Sequence, residues 1–129
     1  MTARRTKIYF DGGCRPNPGA MEIAVVAGGA IEIDRDVGVG SSMDAEWLAL
    51  IAALRLARRR GLADFVLLGD AAAVVHQATG AVRARGDAAR HLATFRALAE
   101  DGPVPRIRHI KRTQNLAGIA LARAGEVRK

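Results

Sequence analysis

Four consecutive apolar residues, Phe65-Val66-Leu67-Leu68, constrain the fold of this chain more than any other segment. A strand with hydrocarbon side chains on both faces can leave neither face in water. It must lie inside a sheet with helices packed above and below. The neighbouring sequence supplies those partners. Residues 7–10 read as a short strand ending at Asp11, and the run Gly12-Gly13-Cys14-Arg15-Pro16-Asn17-Pro18-Gly19 reads as a turn-rich loop. Residues 21–27 form a second strand, and the Gly28-Gly29 turn leads into a third at 30–34. Tight connections of this kind make an antiparallel meander.

The hydrophobic period then changes. Over residues 44–60 the apolar positions Trp47, Leu48, Leu50, Ile51, Leu54 and Leu56 follow helical spacing. Ser42 or Asp44 suits the N-cap, and Gly61 suits the stop. Further helices are expected at 71–79, 87–100 and 114–124, with a last strand at 104–110. The order β-β-β-α-β-α-α-β-α describes an α/β fold with a mixed five-stranded sheet and helices on both faces. One domain spanning residues 1–129 is expected.

Against this scaffold three acidic residues stand out: Asp11, Glu46 and Asp70. Each lies where an apolar element begins or ends, a costly place for a carboxylate that only packs. Taken singly, each has a simpler reading: a turn cap at Asp11, a first-turn helix carboxylate at Glu46, an N-cap at Asp70. Taken together, they offer the hard oxygen ligands that a divalent cation prefers. The chain around them is basic, with 20 Lys and Arg against 13 Asp and Glu and a net charge of +7. An acidic metal site in a basic chain points to chemistry on a polyanion, nucleic acid first. Cys14 is the single cysteine, so no internal disulfide forms, which fits a reducing cytoplasm. No apolar stretch is free enough of charge to span a membrane, and the basic start of the chain lacks the long apolar run of a signal peptide.

Asp11-Gly12-Gly13-Cys14-Arg15-Pro16-Asn17-Pro18-Gly19 resembles the opening motif of type 1 ribonuclease H. Ala45-Glu46-Trp47-Leu48-Ala49-Leu50 resembles its acidic first helix, and Gly69-Asp70-Ala71-Ala72-Ala73 its third acidic segment. His109-Ile110-Lys111-Arg112-Thr113-Gln114-Asn115, followed by Ala120-Leu121-Ala122, resembles the closing segment of the archaeal-like bacterial branch. The four motifs come in the family's order and span nearly the whole chain.

The resemblance implies a ribonuclease H-like fold and metal-dependent cleavage of the RNA strand of RNA/DNA hybrids, with Mg²⁺ or Mn²⁺. Asp11, Glu46 and Asp70 would be the metal ligands, and Arg112 a further catalytic residue. Gly12, Cys14, Asn17, Ser42, His109 and Asn115 would contact the hybrid. No obligatory protein partner is implied. The chain also departs from the pattern. A fourth carboxylate usually follows the asparagine at 115 by four positions, and here that position is Ile119. Ser42 and Met43 replace two asparagines, and Ala71 replaces a serine. These departures imply weakened activity or, alternatively, a domain of the same fold that binds hybrids without cutting them. Ile119 itself is expected in the core, on a stripe with Leu116.

Overall fold

The computed structural model describes residues 5–127. Its elements are β1 (Thr6–Cys14), β2 (Gly19–Ala27), β3 (Ala30–Asp34), β4 (Val39–Gly40), α1 (Ser42–Arg59), β5 (Phe65–Gly69), α2 (Ala72–Thr79), α3 (Asp87–Ala99), β6 (Arg106–His109) and α4 (Leu116–Val127). The strands run β3-β2-β1-β5-β6, and the two-residue β4 adds a short pairing to the start of β2. The β1-β2-β3 meander is antiparallel, whereas β1, β5 and β6 are parallel, so the sheet is mixed as expected.

All five residues of β5 are buried, but the helices expected on both its faces pack against Phe65 and Leu67 only, and Val66 and Leu68 line a cleft on the other face. Its Leu67 and Phe65 join Ile8 and Phe10 of β1 against α1, α2 and α3 in the larger core. The opposite face carries a smaller core, in which Ala117 and Leu121 of α4 meet Ala24 and Val26 of β2. Trp47 is fully buried at the centre of the larger core, and its indole N–H donates to Gln77 Oε1 at 2.9 Å. A buried indole needs such a partner.

Several boundaries differ from the sequence reading. β1 continues through Gly12, Gly13 and Cys14, which pair with Ile23, Glu22 and Met21. Turn-forming composition is overridden here by the ladder and by close packing. A Cβ on Gly12 would lie 2.2 Å from the Ala45 carbonyl oxygen, so only glycine lets α1 approach this strand. The N-cap of α1 is Ser41, not Ser42 or Asp44; Asp44 instead closes a capping box by accepting from the Ser41 backbone N–H. A 3₁₀ turn at Arg112–Gln114 precedes α4, which therefore starts later than expected.

Ile119 is the clearest correction. It shares a stripe with Leu116, but both are exposed, at 40% and 46%. They line an apolar groove beside Ile31 and Ile33 of β3. The face of α4 that meets the sheet runs instead through Ala117 and Leu121, because a small residue at 117 lets the helix sit close to β1 and β2.

Candidate active site

Alternation along β1 sends Ile8 and Phe10 into the larger core and Asp11 to the face that carries α4. Asp11 is 5% exposed. Glu46 lies in the second turn of α1 and reaches across Gly12, whose backbone N–H donates to Oε1 at 2.7 Å. Asp70 follows the last residue of β5. One oxygen from each of these carboxylates lies within 4.8 Å of the others.

The simpler readings of Asp70 and Glu46 do not match these positions. α2 is capped at Ala71 without a side-chain hydrogen bond, so Asp70 is not its N-cap. The first-turn acid of α1 is Asp44 rather than Glu46.

Three anionic groups so close, with little water, repel one another. Burial, and then the neighbouring Asp70 charge, raise the Asp11 pKa to about 6. Burial, and then the Asp11 charge, raise the Glu46 pKa to about 9. The two titrate as a pair. Such a cluster needs a compensating positive charge, and its donors, all carboxylate oxygen, suit a hard divalent cation.

The surrounding residues organise this cluster. Asn115 is fully buried, and its amide donates to Asp70 Oδ2 at 2.9 Å and to the Phe10 carbonyl at 3.0 Å. Its own carbonyl accepts from the Ala117 N–H at 3.1 Å, at the start of α4. With every polar atom engaged, Asn115 is not open to a substrate backbone. It orients Asp70 instead, which corrects the contact role expected of it. Asn115→Ala is expected to cost about 2–3 kcal/mol of stability, since it strands the buried Phe10 carbonyl and frees Asp70. Urea denaturation measures this, and a loss under about 0.5 kcal/mol would contradict the role.

Arg112 Nη1 stands 3.8 Å from Asp70 Oδ1 while its side chain is 82% exposed, so the guanidinium can meet a phosphate from solvent. His109 Nε2 lies 3.2 Å from the Asp70 backbone oxygen. Gly12, Cys14 and Ser42 line the same cleft, of about 280 Å³, as Asp11 and Glu46. Asn17 sits beside it and accepts from the Cys14 thiol at 3.5 Å and from the Ser42 backbone N–H at 3.1 Å.

Two features of the cleft were not read from the sequence. Glu22 of β2 lines it and ion-pairs with Arg35 at 3.2 Å. The alternation Glu22, Ala24, Val26 on the α4 side of β2 is the signal that could have found it. On α4, Gly118 faces the carboxylates: a Cβ there would lie 3.4 Å from Asp11 Oδ2. Among the described residues of α4, no carboxylate joins the cluster. Away from the cleft, His91 of α3 ties down the start of α1. Its Nε2 lies 2.9 Å from Asp44 Oδ1, and its ring stacks on Trp47 with centroids 6.2 Å apart.

The sequence model of the reverse transcriptase-like family matches residues 30–125. The crystal structure of RNase H1 from the halophilic archaeon Halobacterium salinarum superposes with a TM-score of 0.83 at 34% identity, covering 92% of this chain and 94% of that one. The chain belongs to the type 1 ribonuclease H-like family. A second family structure, LC11-RNase H1 in complex with an RNA/DNA hybrid, aligns with a TM-score of 0.82 at 26% identity, over 91% of this chain and 93% of that one. The curated ribonuclease HI of Halobacterium salinarum is 40% identical over 82 residues, which is 60% of this chain and 41% of that protein. The aligned stretch is thus less than half the length of that family member. No described helix is long and apolar enough to cross a membrane.

Proposed function

We propose that this chain is a metal-dependent endonuclease that hydrolyses the RNA strand of RNA/DNA hybrids in the cytoplasm, with Mg²⁺ or Mn²⁺ and with weakened activity. The convergence of Asp11, Glu46 and Asp70 oxygens within 4.8 Å carries this reading. Phosphodiester hydrolysis needs an activated water and a stabilised leaving oxygen, and divalent cations at clustered carboxylates supply both. The residues of the chain do the rest. Asp11, Glu46 and Asp70 would hold the cation, and Asp11 and Glu46 would do so as carboxylates, against the burial that favours their protonated forms. Asn115 fixes the orientation of Asp70. Arg112 offers guanidinium donors to the phosphate at the edge of the site. Cys14 and Ser42 form one wall, with Asn17 bonded beside them, where contacts to a 2′-hydroxyl would distinguish RNA from DNA.

The reading of weakened activity is supported by α4, which sets Gly118, with no side chain to ligate a cation, beside Asp11. The same observation favours a second reading, a hybrid-binding domain that does not cut. Hydrolysis of a labelled RNA/DNA hybrid in Mg²⁺ and in Mn²⁺ separates the two. Metal-dependent cleavage supports the enzyme, and binding without cleavage in either metal supports the second reading.

Gly118→Asp, which adds a carboxylate beside Asp11, is expected to raise the rate by about tenfold, the lower end of what a group supporting a metal contributes. Ile119→Asp should not raise it, because position 119 faces the groove against β3. Single-turnover rates compare them. A rate for Ile119→Asp above that of Gly118→Asp would overturn this placement of α4.

A further inference from the structure

α4 lies over β1, β2 and β3, and among the described residues it makes no comparable packing over β5 and β6. Parallel register places Lys7, Val66 and Arg106 in one row across that open half, and Tyr9, Leu68 and Arg108 in the next. The following positions on β1 and beyond β5 are Asp11 and Asp70. The catalytic carboxylates and these two rows are therefore consecutive steps along one sheet face, about 7 Å apart.

A cleft of about 500 Å³ occupies the open half. Val66 and Leu68 floor it, Tyr9 contributes a half-buried aromatic ring, and Lys7 and Arg108 are exposed cations at its sides. Arg5 adds a third cation, already paired with Asp64 at 3.0 Å, and no carboxylate lines the cleft. Gln114 closes one wall. It ends the 3₁₀ turn whose first residue, Arg112, stands at the catalytic carboxylates. One short turn thus touches both sites.

We propose that this cleft holds single-stranded nucleic acid continuing from the strand engaged at Asp11 and Asp70, so that hybrids with a single-stranded overhang are the preferred substrates. The inference rests on the nuclease reading for its link to the carboxylates. Cations flanking an apolar, aromatic floor are the combination that binds single strands, with phosphates on the charges and bases against the ring. An acidic peptide or a lipid surface would match the charge, but neither would account for continuity with the carboxylates.

The test uses the full chain in EDTA and fluorescence anisotropy with a labelled DNA single strand of about 12 nucleotides, within the range that one small domain covers. Lys7→Gln/Arg108→Gln is expected to weaken binding about tenfold and to lower the slope of log affinity against log salt by about 1.4, at roughly 0.7 per lost phosphate contact. Tyr9→Leu should weaken binding several-fold with the slope unchanged, since stacking releases no counterions. Arg83→Gln/Arg85→Gln removes the same charge from an exposed segment elsewhere and should change affinity less than about twofold.

In parallel, blunt hybrids are compared with hybrids carrying a 5′ or 3′ overhang. The overhang should tighten binding for at least one polarity, and that ratio should return to one in Lys7→Gln/Arg108→Gln. Equal losses in the two double variants would overturn the proposal, as would an overhang ratio of one for both polarities in the unmodified protein. Loss of retention on phosphatidylserine vesicles in Lys7→Gln/Arg108→Gln, with single-strand binding intact, would assign the cleft to lipid and overturn it too. Failure of every protein to bind or cut blunt hybrid would count against the nuclease reading, while the free single strand still judges the cleft.

Discussion

Asp11→Asn abolishes cleavage of the RNA strand, lowering the rate by about 10³-fold or more, while hybrid binding in EDTA persists. The rate loss is at least what removal of one preorganised electrostatic group from a buried site costs. Asp11 is the natural place for this effect. It is the most buried of the three carboxylates, and it lies against both the strand bearing Asp70 and the helix bearing Glu46. An amide at this position keeps the shape and loses the charge that neutralises a cation. Hybrid binding depends on different residues. The net charge of +7 and the exposed arginines near the cleft attract phosphates whether or not a cation is bound. Quenched-flow hydrolysis and anisotropy on the same hybrid measure the two effects separately. Retained turnover in Asp11→Asn would sink the carboxylate cluster as the catalytic site.

The second large effect is on stability. Without divalent cation, the melting temperature should fall by roughly 10 °C between pH 5 and pH 9, and saturating Mg²⁺ or Mn²⁺ should recover most of the loss. In the unfolded chain Asp11 and Glu46 titrate near their ordinary values of 3.8 and 4.5, whereas folding raises them to about 6 and about 9. Below both ordinary values the folded and unfolded states carry the same protons, and the cluster costs nothing. As the pH rises past about 5 the unfolded chain has released its protons and the folded chain still holds them. The folded state then binds more protons, so unfolding becomes progressively easier until the folded pair ionises as well. The two-unit shift at Asp11 alone corresponds to about 3 kcal/mol, at roughly 1.4 kcal/mol per unit. Glu46→Gln removes the larger shift and should flatten the profile. Calorimetric scans of both proteins, with and without cation, decide it. An unchanged pH slope in Glu46→Gln, together with no cation effect, would show that the three carboxylates are not packed as described.

The two prominent outcomes draw on residues that were already visible in the chain. Asp11, Glu46 and Asp70 could be singled out because carboxylates are rare at the edges of apolar elements, and the run from Phe65 to Leu68 marked a strand inside the sheet. Those are local signals: composition, period and motif. Asn115 shows where local signals stop. An asparagine before a helix is equally suited to touching substrate or to satisfying the interior, and only its burial against the Phe10 carbonyl and Asp70 decides between them. The same holds for Gly12. Glycine in a turn-rich run reads as a turn, yet this one extends β1 because the backbone of α1 passes where a side chain would be.

By itself the sequence determined the order of the main elements without the short β4, the mixed sheet, the three acidic positions and the basic character of the chain. These depend on which residues neighbour one another along the chain. The tertiary structure alone decided the rest. It set the rotation of α4 that exposes Ile119 and turns Gly118 to Asp11, and it brought Glu22 into the cleft. It also aligned Lys7, Tyr9 and Arg108 with the carboxylates. Helix rotation and strand register follow from which side chains are small enough to let two elements close. That property belongs to pairs of residues distant in sequence, so no single segment encodes it.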